Sequence, residues 1–377
     1  MPIASQCPLV LNCVLALAAG DLAKYQPASS GMASLTCGFY GQAVAGVNLA
    51  LSREFDSSGS PRDPRDPSSH RGSNSAHYAQ REDDILLAVI LLCVHEVVNF
   101  TSTSRIFPHL NAAAALCHSR CSSIAAPNLP LRGLLFEIFC YIFTLTASTH
   151  GRNLPLHLAS EVFTSPFLSG SSYKGMLLGQ QCRDIFSVIL RVSILRHGIA
   201  STAGIDEPIV SELRTLQAQL EDSPTIGTSD AGDARSDDKA VSELYRLACL
   251  IQINKTLNPM LQDRSPLVQD LISQFISTLS AVPSTSPANN ILCWPLFMAG
   301  MSSTATAHQR LIVGRLRRNY ESWWRSDILS RTADFLSKSW RDGRVASEGE
   351  AVRCRDSDAA HCPRLATLAF DFPLVLL

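Results

Sequence analysis

The side chains with chemical potential in this chain are a few cysteines and histidines, two aspartate pairs and one arginine cluster. Cys117 and Cys121, with His118 between them, could set two thiolates on one helical face for a metal. Such a site needs two more ligands, and the nearby His109 offers at most one, so the spacing reads as structural cysteines. His361 and Cys362 with Cys354 lie in a weakly patterned tail and read the same way. His95 sits between LLCV and Glu96 on an apolar helix, where an imidazole more often packs on a helix face than acts as a base. Metal-dependent chemistry on a prenyl diphosphate would need aspartate-rich motifs facing a cavity. Asp83–Asp84 is only a pair, and Asp237–Asp238 lies in a polar linker.

Phosphate-binding patterns are also missing. The segment GSSYKG at Gly170–Gly175 lacks the Walker spacing and reads as a loop. No G-x-G-x-x-G, H-E-x-x-H or G-x-S-x-G is present. The sequence therefore assigns no catalytic, cofactor-binding or metal-binding residue, and the expectation is a protein that is not an enzyme. Arg310, Arg315, Arg317, Arg318 and Arg325, interleaved with Tyr320, Trp323 and Trp324, form the one basic patch with a nucleic-acid look. Leu311, Ile312, Leu316 and Tyr320 trace an inward stripe, which leaves Arg317, Glu321 and Arg325 at i, i+4 spacing on an outer, solvated face.

Composition agrees with that reading. A net charge of −1 across 377 residues gives no global pull toward nucleic acid or anionic membrane, and direct DNA binding by the chain is not expected. Hydrophobic residues are 46% of the chain, enough for a large core. Most of the twelve cysteines lie inside apolar runs, which suits a reducing compartment. The apolar run from Cys7 to Ala19 has no Lys or Arg ahead of it and reads as a core helix rather than a leader. Ile85 to Val94 is too short to cross a bilayer, so no membrane anchor is expected.

The elements that must carry these residues are helical throughout. Helices are expected over 7–24 and Tyr40–Leu51, then a polar loop over about 53–80 rich in Ser, Pro, Asp and Arg. From Asp83, whose carboxylate suits a helix N-terminus, DDILLAVILLCVHEVVNF reads as a central helix. Pro108–Cys121 opens with proline in its first turn, and Leu131–Ala147 is a buried helix by length. Residues 148–175 read as irregular. Further helices follow at Leu177–Leu195, from Asp206 through Leu220, at Val241–Leu257 and at Leu267–Leu279, with a second polar loop at about 222–238. No sustained strand alternation occurs, so the fold class is all-α, a single multi-helix domain over 1–340 followed by a tail at 341–377.

The order of segments resembles the regulatory domain of fungal zinc-cluster transcription factors, the fungal-specific transcription factor domain. VLNCVLALAAGDLAKY is similar to the family's opening helix. DILLAVILLCVHEVVNFTSTSRIFPHLNAAAAL resembles its long apolar helix ending in a glutamate, here Glu96, followed by a helix with His109 and Ala112–Ala115. AVSELYRLACLIQINKTL, with Tyr245 and Arg246, resembles a later helix. NNILCWPLFMAGMSSTATAHQRLIVGRLRRN resembles the tryptophan–proline helix and its basic successor, closed by a helix ending at Trp340. The resemblance spans about Pro8 to Trp340.

It departs at one module. The family's binuclear zinc cluster needs six cysteines with two C-x-x-C pairs, and no C-x-x-C occurs here; Cys7, Cys13 and Cys37 cannot supply one. The resemblance thus implies transcription regulation in the nucleus by a regulatory or dimerisation domain without its own DNA-reading cluster. It implies protein partners, a homodimer or a DNA-binding transcription factor among them, and room for a small-molecule effector. The rival classes are a helical protein-interaction scaffold and a helical-bundle enzyme.

Overall fold

Fourteen α-helices and one 3-10 turn form the described part of the chain, with no strand among those residues. The computed structural model describes residues 2–25, 30–58, 71–99, 103–121, 129–150, 154–164, 179–199, 206–222, 236–322 and 326–353. In order, the helices are α1 (Pro2–Gln6), α2 (Pro8–Tyr25), α3 (Ser30–Ser58), α4 (Arg71–Asn99), α5 (Thr103–Arg120), α6 (Leu129–His150) and α7 (Leu156–Phe163). They continue as α8 (Gly179–Ile199), α9 (Glu207–Glu221), α10 (Ser236–Leu257), α11 (Pro266–Ala281), α12 (Cys293–Ser302), α13 (Thr306–Ser322) and α14 (Asp327–Arg353). The all-α class read from the apolar spacing holds.

The chain divides into two compact units. The first takes residues Met1–Phe143 and Asn153–Gly179, and the second takes Thr144–Arg152 and Gln180–Leu377. In the first unit α4 is the hub: α2, α3 and α5 all pack on it. From Ile85 to Val98 most apolar side chains of α4 are buried, joined by Phe136, Phe139 and Phe143 from α6. Each such side chain contributes about 1.5–3 kcal/mol on burial, which is why an almost wholly apolar helix settles at the centre. Two helices, α2 and Pro130–His150, are long and apolar enough to cross a membrane by length and composition alone. The second is 83% buried within the protein, as a core helix is; the first is 28% buried.

In the second unit α10 is the hub, buried without a break from Ala240 to Asn254. Tyr245 lies between the rings of Phe186 (4.9 Å) and Trp294 (5.7 Å, stacked at 10°). The polar ends of both large rings are satisfied. The Tyr245 hydroxyl donates to Ile291 O, and Trp294 Nε1 donates to Ser148 Oγ at 2.8 Å. Ser265 caps α11 by accepting from Val268 N, and Pro266 takes the first helical position. Gly300 lets α12 and α14 close up: a Cβ there would come within 2.7 Å of the Leu336 side chain.

Several boundaries differ from the sequence reading. The polar loop expected at 53–80 is narrower, because α3 runs to Ser58 and α4 begins at Arg71; residues 59–70 lie outside the described residues. The run AHYAQRE just before Asp83 is built of residues that mostly tolerate a helix well, so the chain extends α4 backward. Asp83 is consequently an interior helix residue and not an N-terminal one. Pro108 sits in the second turn of α5, which starts at Thr103, and lies on the exposed side where water can meet the carbonyl its missing N–H leaves open. The stretch expected to be irregular at 148–175 contains α7, which buries Ala159, Val162 and Phe163. The final helix does not end at Trp340 but continues to Arg353 through helix-tolerant residues. Residues 223–235 of the second polar loop and the tail from 354 lie outside the described residues.

Candidate functional site

Three helices of the first unit bring a polar cluster into an otherwise apolar setting. Tyr40 comes from α3, His95 and Glu96 from the end of α4, and His109 from α5. The Tyr40 hydroxyl lies 2.9 Å from His109 Nε2, and the two rings meet edge to face at 6.2 Å. The Tyr40 ring also lies over His95, with centroids 4.9 Å apart. His95 Nδ1 approaches Glu96 Oε1 at 4.0 Å, too far for a hydrogen bond. His95 is only 7% exposed, and neither of its ring nitrogens has a hydrogen-bond partner among the described residues.

Burial dominates the electrostatics here. It holds His95 down to about 4, aided by His109, Lys24 and Arg105, and holds His109 down to about 4 as well. Burial and Glu96 together push the Tyr40 phenol above its ordinary range. At neutral pH His95 and His109 are therefore neutral imidazoles and Tyr40 a protonated phenol. These three can orient and hydrogen-bond, and none of the three is poised to exchange a proton near pH 7. Lys24 closes the adjoining end of α4 by donating from Nζ to Val98 O at 2.8 Å.

The residues singled out for metal chemistry do not assemble. Cys117 points into the core, where burial pushes its thiol well above the usual range. Cys121 Sγ turns back to Cys117 O at 3.3 Å, and His118 Nε2 pairs with Glu161 of α7 at 2.5 Å. His109 is engaged by Tyr40. No group of three or more His, Cys, Asp or Glu among the described residues is placed to hold a metal ion. Cys354, His361, Cys362, the segment Gly170–Gly175, and the trio Trp323, Trp324 and Arg325 lie outside the described residues. Asp237 accepts from Ser286 Oγ at 2.5 Å, and Asp238 is exposed.

The arginine cluster separates by depth. Arg310, Arg317 and Arg318 are exposed; Arg317 lies 3.6 Å from Asp334, and Arg318 Nε donates to Gly314 O in its own helix. Arg315 belongs to the core, contrary to its placement in a surface patch. Its guanidinium donates to Leu279 O (3.0 Å), Val282 O (2.9 Å) and Asn289 Oδ1 (3.0 Å), closing the carboxyl end of α11. Two other cations do the same work. Arg246 donates to Leu220 O at the end of α9 while paired with Glu243. Arg196 and His197 meet Ser148 O and Ala147 O at the end of α6. A guanidinium at a helix carboxyl end satisfies orphan carbonyls and complements the negative end of the dipole.

Sequence reasoning missed these caps, and it missed the buried pair in which Arg132 donates to Asp83 Oδ1 from Nε (3.0 Å) and Nη2 (2.8 Å). A signal existed: a lone arginine inside LPLRGLLFEIF must be paired if that helix is buried. Trp294 and Trp340 behave as anchors, the second donating from Nε1 to Gly300 O at 3.0 Å.

A family model for the fungal specific transcription factor domain matches residues 1–356. No curated protein and no solved structure matches the chain.

Proposed function

Because the chain belongs to the fungal-specific transcription factor domain family, we propose that it is the regulatory domain of a fungal transcription regulator, acting through protein partners in the nucleus. Membership makes transcription regulation its role, and the family is not one of enzymes. The finer reading is that contact with DNA comes from a partner factor or a separate module, while these helices govern assembly and activity. One observation carries it: the family match runs from residue 1 to 356, across both units. The polar cluster at Tyr40, His95 and His109 supports it from the chemical side, since its groups are held neutral and shielded.

The test is a tethering assay. Fused to an unrelated DNA-binding module in a fungal host, the full chain should change expression of a reporter relative to the module alone and should accumulate in the nucleus. A reporter level equal to that of the module alone, with the protein excluded from nuclei, overturns the proposal. A gel shift with the unfused chain should show no retarded DNA. A shift abolished by Arg317→Glu with Arg318→Glu would instead make the exposed face of α13 a DNA contact.

A further inference from the structure

α9 is seated on α10 by few side chains. Of its 15 residues only Leu213 and Leu220 are buried, whereas α11, one residue longer, buries Val268, Ile272, Phe275 and Leu279. Ile209, Val210 and Leu216 are half-buried beside them. Arginines hold α9 from both neighbouring helices. Arg191 of α8 donates from Nε and Nη2 to the Glu212 carboxylate, the second bond at 2.8 Å, but the two side chains are 46% and 36% exposed, so water screens the pair. Arg246 of α10 donates to Leu220 O. The ends of α9 are poorly finished. The Asp206 side chain makes no cap hydrogen bond, and Glu221 and Asp222 stand at the carboxyl end, where the helix dipole disfavours them and the last turn holds no basic residue. A helix of this length is marginal in water without packing.

α9 itself shows the chemistry that its seat accepts. Ile209, Leu213, Leu216 and Leu220 recur at i, i+4, i+7 and i+11, a single apolar stripe. From Asp206 to Asp222 the carboxylates of Asp206, Glu207, Glu212, Glu221 and Asp222 stand against one cation, Arg214. The seat answers with Arg191 and Arg246. A hydrogen-bonded Glu243 holds the Arg246 guanidinium above its ordinary range, and Glu221 of α9 adds to the effect.

We infer that the seat of α9 on α10 is an exchangeable groove, in which an acidic amphipathic helix of a partner protein takes the place of α9. The inference rests on the partner-holding reading above and gives that partner's chemistry. The incoming helix repeats the apolar spacing of α9, sets a carboxylate against Arg191 and offers a carbonyl at its end to Arg246. In the free chain α9 covers the groove, so the partner's apparent affinity falls in proportion to the fraction of molecules in which α9 has left it.

The experiment takes the full chain and, as probe, a fluorescein-labelled peptide of residues 206–222, read by anisotropy, with amide hydrogen exchange on the wild type. The amides of α9 should exchange at least tenfold faster than those of α10 between residues 240 and 254. The peptide should bind the Leu213→Asp chain, whose own α9 has lost an anchor, at least tenfold more tightly than the wild-type chain. Adding Arg191→Glu to that chain should weaken the peptide at least threefold, and a peptide carrying Glu212→Arg should recover the loss. A peptide that binds both chains alike overturns the inference, and so does an Arg191→Glu loss that the Glu212→Arg peptide leaves in place. A wild type whose α9 exchanges in step with α10 overturns it whether or not the Leu213→Asp chain folds. A wild-type dimer that Leu213→Asp dissociates in sedimentation would give the seat to a second copy's α9 and overturn it too. Each of these outcomes leaves the reporter result of the tethering assay standing, so the two readings fail separately.

Discussion

Acidification from pH 7 to pH 5 is expected to destabilise this protein by about 4 kcal/mol through two histidines alone. His95 and His109 are held down to about 4 in the folded chain, from an ordinary 6.5. The folded values are depressed, so the stabilisation is fully present above about 6.5 and is lost as pH falls toward 4. In that window the unfolded chain binds more protons than the folded one. The full gap is worth about 3 kcal/mol per histidine, of which about 2 is lost by pH 5. The groups facing the pair are Tyr40 from α3, Glu96 and Cys93 from α4, Arg105 from α5 and Lys24 from α2. The two cations and the second imidazole all resist protonation of His95. The assay is urea unfolding followed by circular dichroism at half-unit steps of pH, on wild type and on His95→Gln with His109→Gln. Glutamine keeps hydrogen-bonding capacity but does not titrate, so the double variant should lose about 4 kcal/mol less than wild type over the same interval. Equal losses in the two proteins would refute the reasoning, because carboxylates elsewhere titrate in both.

Three further outcomes follow from the packing. Arg132→Ala should cost about 3–5 kcal/mol in thermal unfolding by stranding buried Asp83, whereas Asp83→Leu with Arg132→Leu should recover much of the loss. Arg315→Met should cost about 2–3 kcal/mol because it frees two helix-end carbonyls and Asn289, while Arg310→Ala in the same helix should stay within about 0.5 kcal/mol. Gly300→Ala, which drives a methyl into Leu336, should cost about 1–3 kcal/mol and weaken the Trp340 contact, read as a shift in tryptophan emission.

How much the sequence disclosed depended on the range of the interaction. Helix type was legible because apolar spacing is local: the stripe from Val268 to Leu279 and the run from Ile85 to Val98 lie where periodicity puts them. Start signals served where nothing competed, as at Asp206, which directly precedes α9. They misled at Asp83, where a carboxylate suited to a helix start was recruited by an arginine forty-nine positions away. The polar cluster was only half visible. His109 and Glu96 stood out through the family resemblance, but Tyr40 was just one residue in an expected helix until α3 brought it over both imidazoles. The arginines of α13 were read as one surface group because adjacent residues share a composition. A rotation of about 100° per residue sends Arg315 inward and Arg310, Arg317 and Arg318 outward.

The three cationic caps of the second unit share a direction along the chain. Arg196 reaches back to residue 148, Arg246 to 220 and Arg315 to 279. Each helix is thus closed by a side chain made after it, so on the ribosome the ends of α6, α9 and α11 stay open until the downstream helix emerges. A fragment cut just before α13 would keep the whole of α11 and still lack what finishes it. Trimming this unit from its carboxyl side removes the ends of helices that the shortened chain still contains.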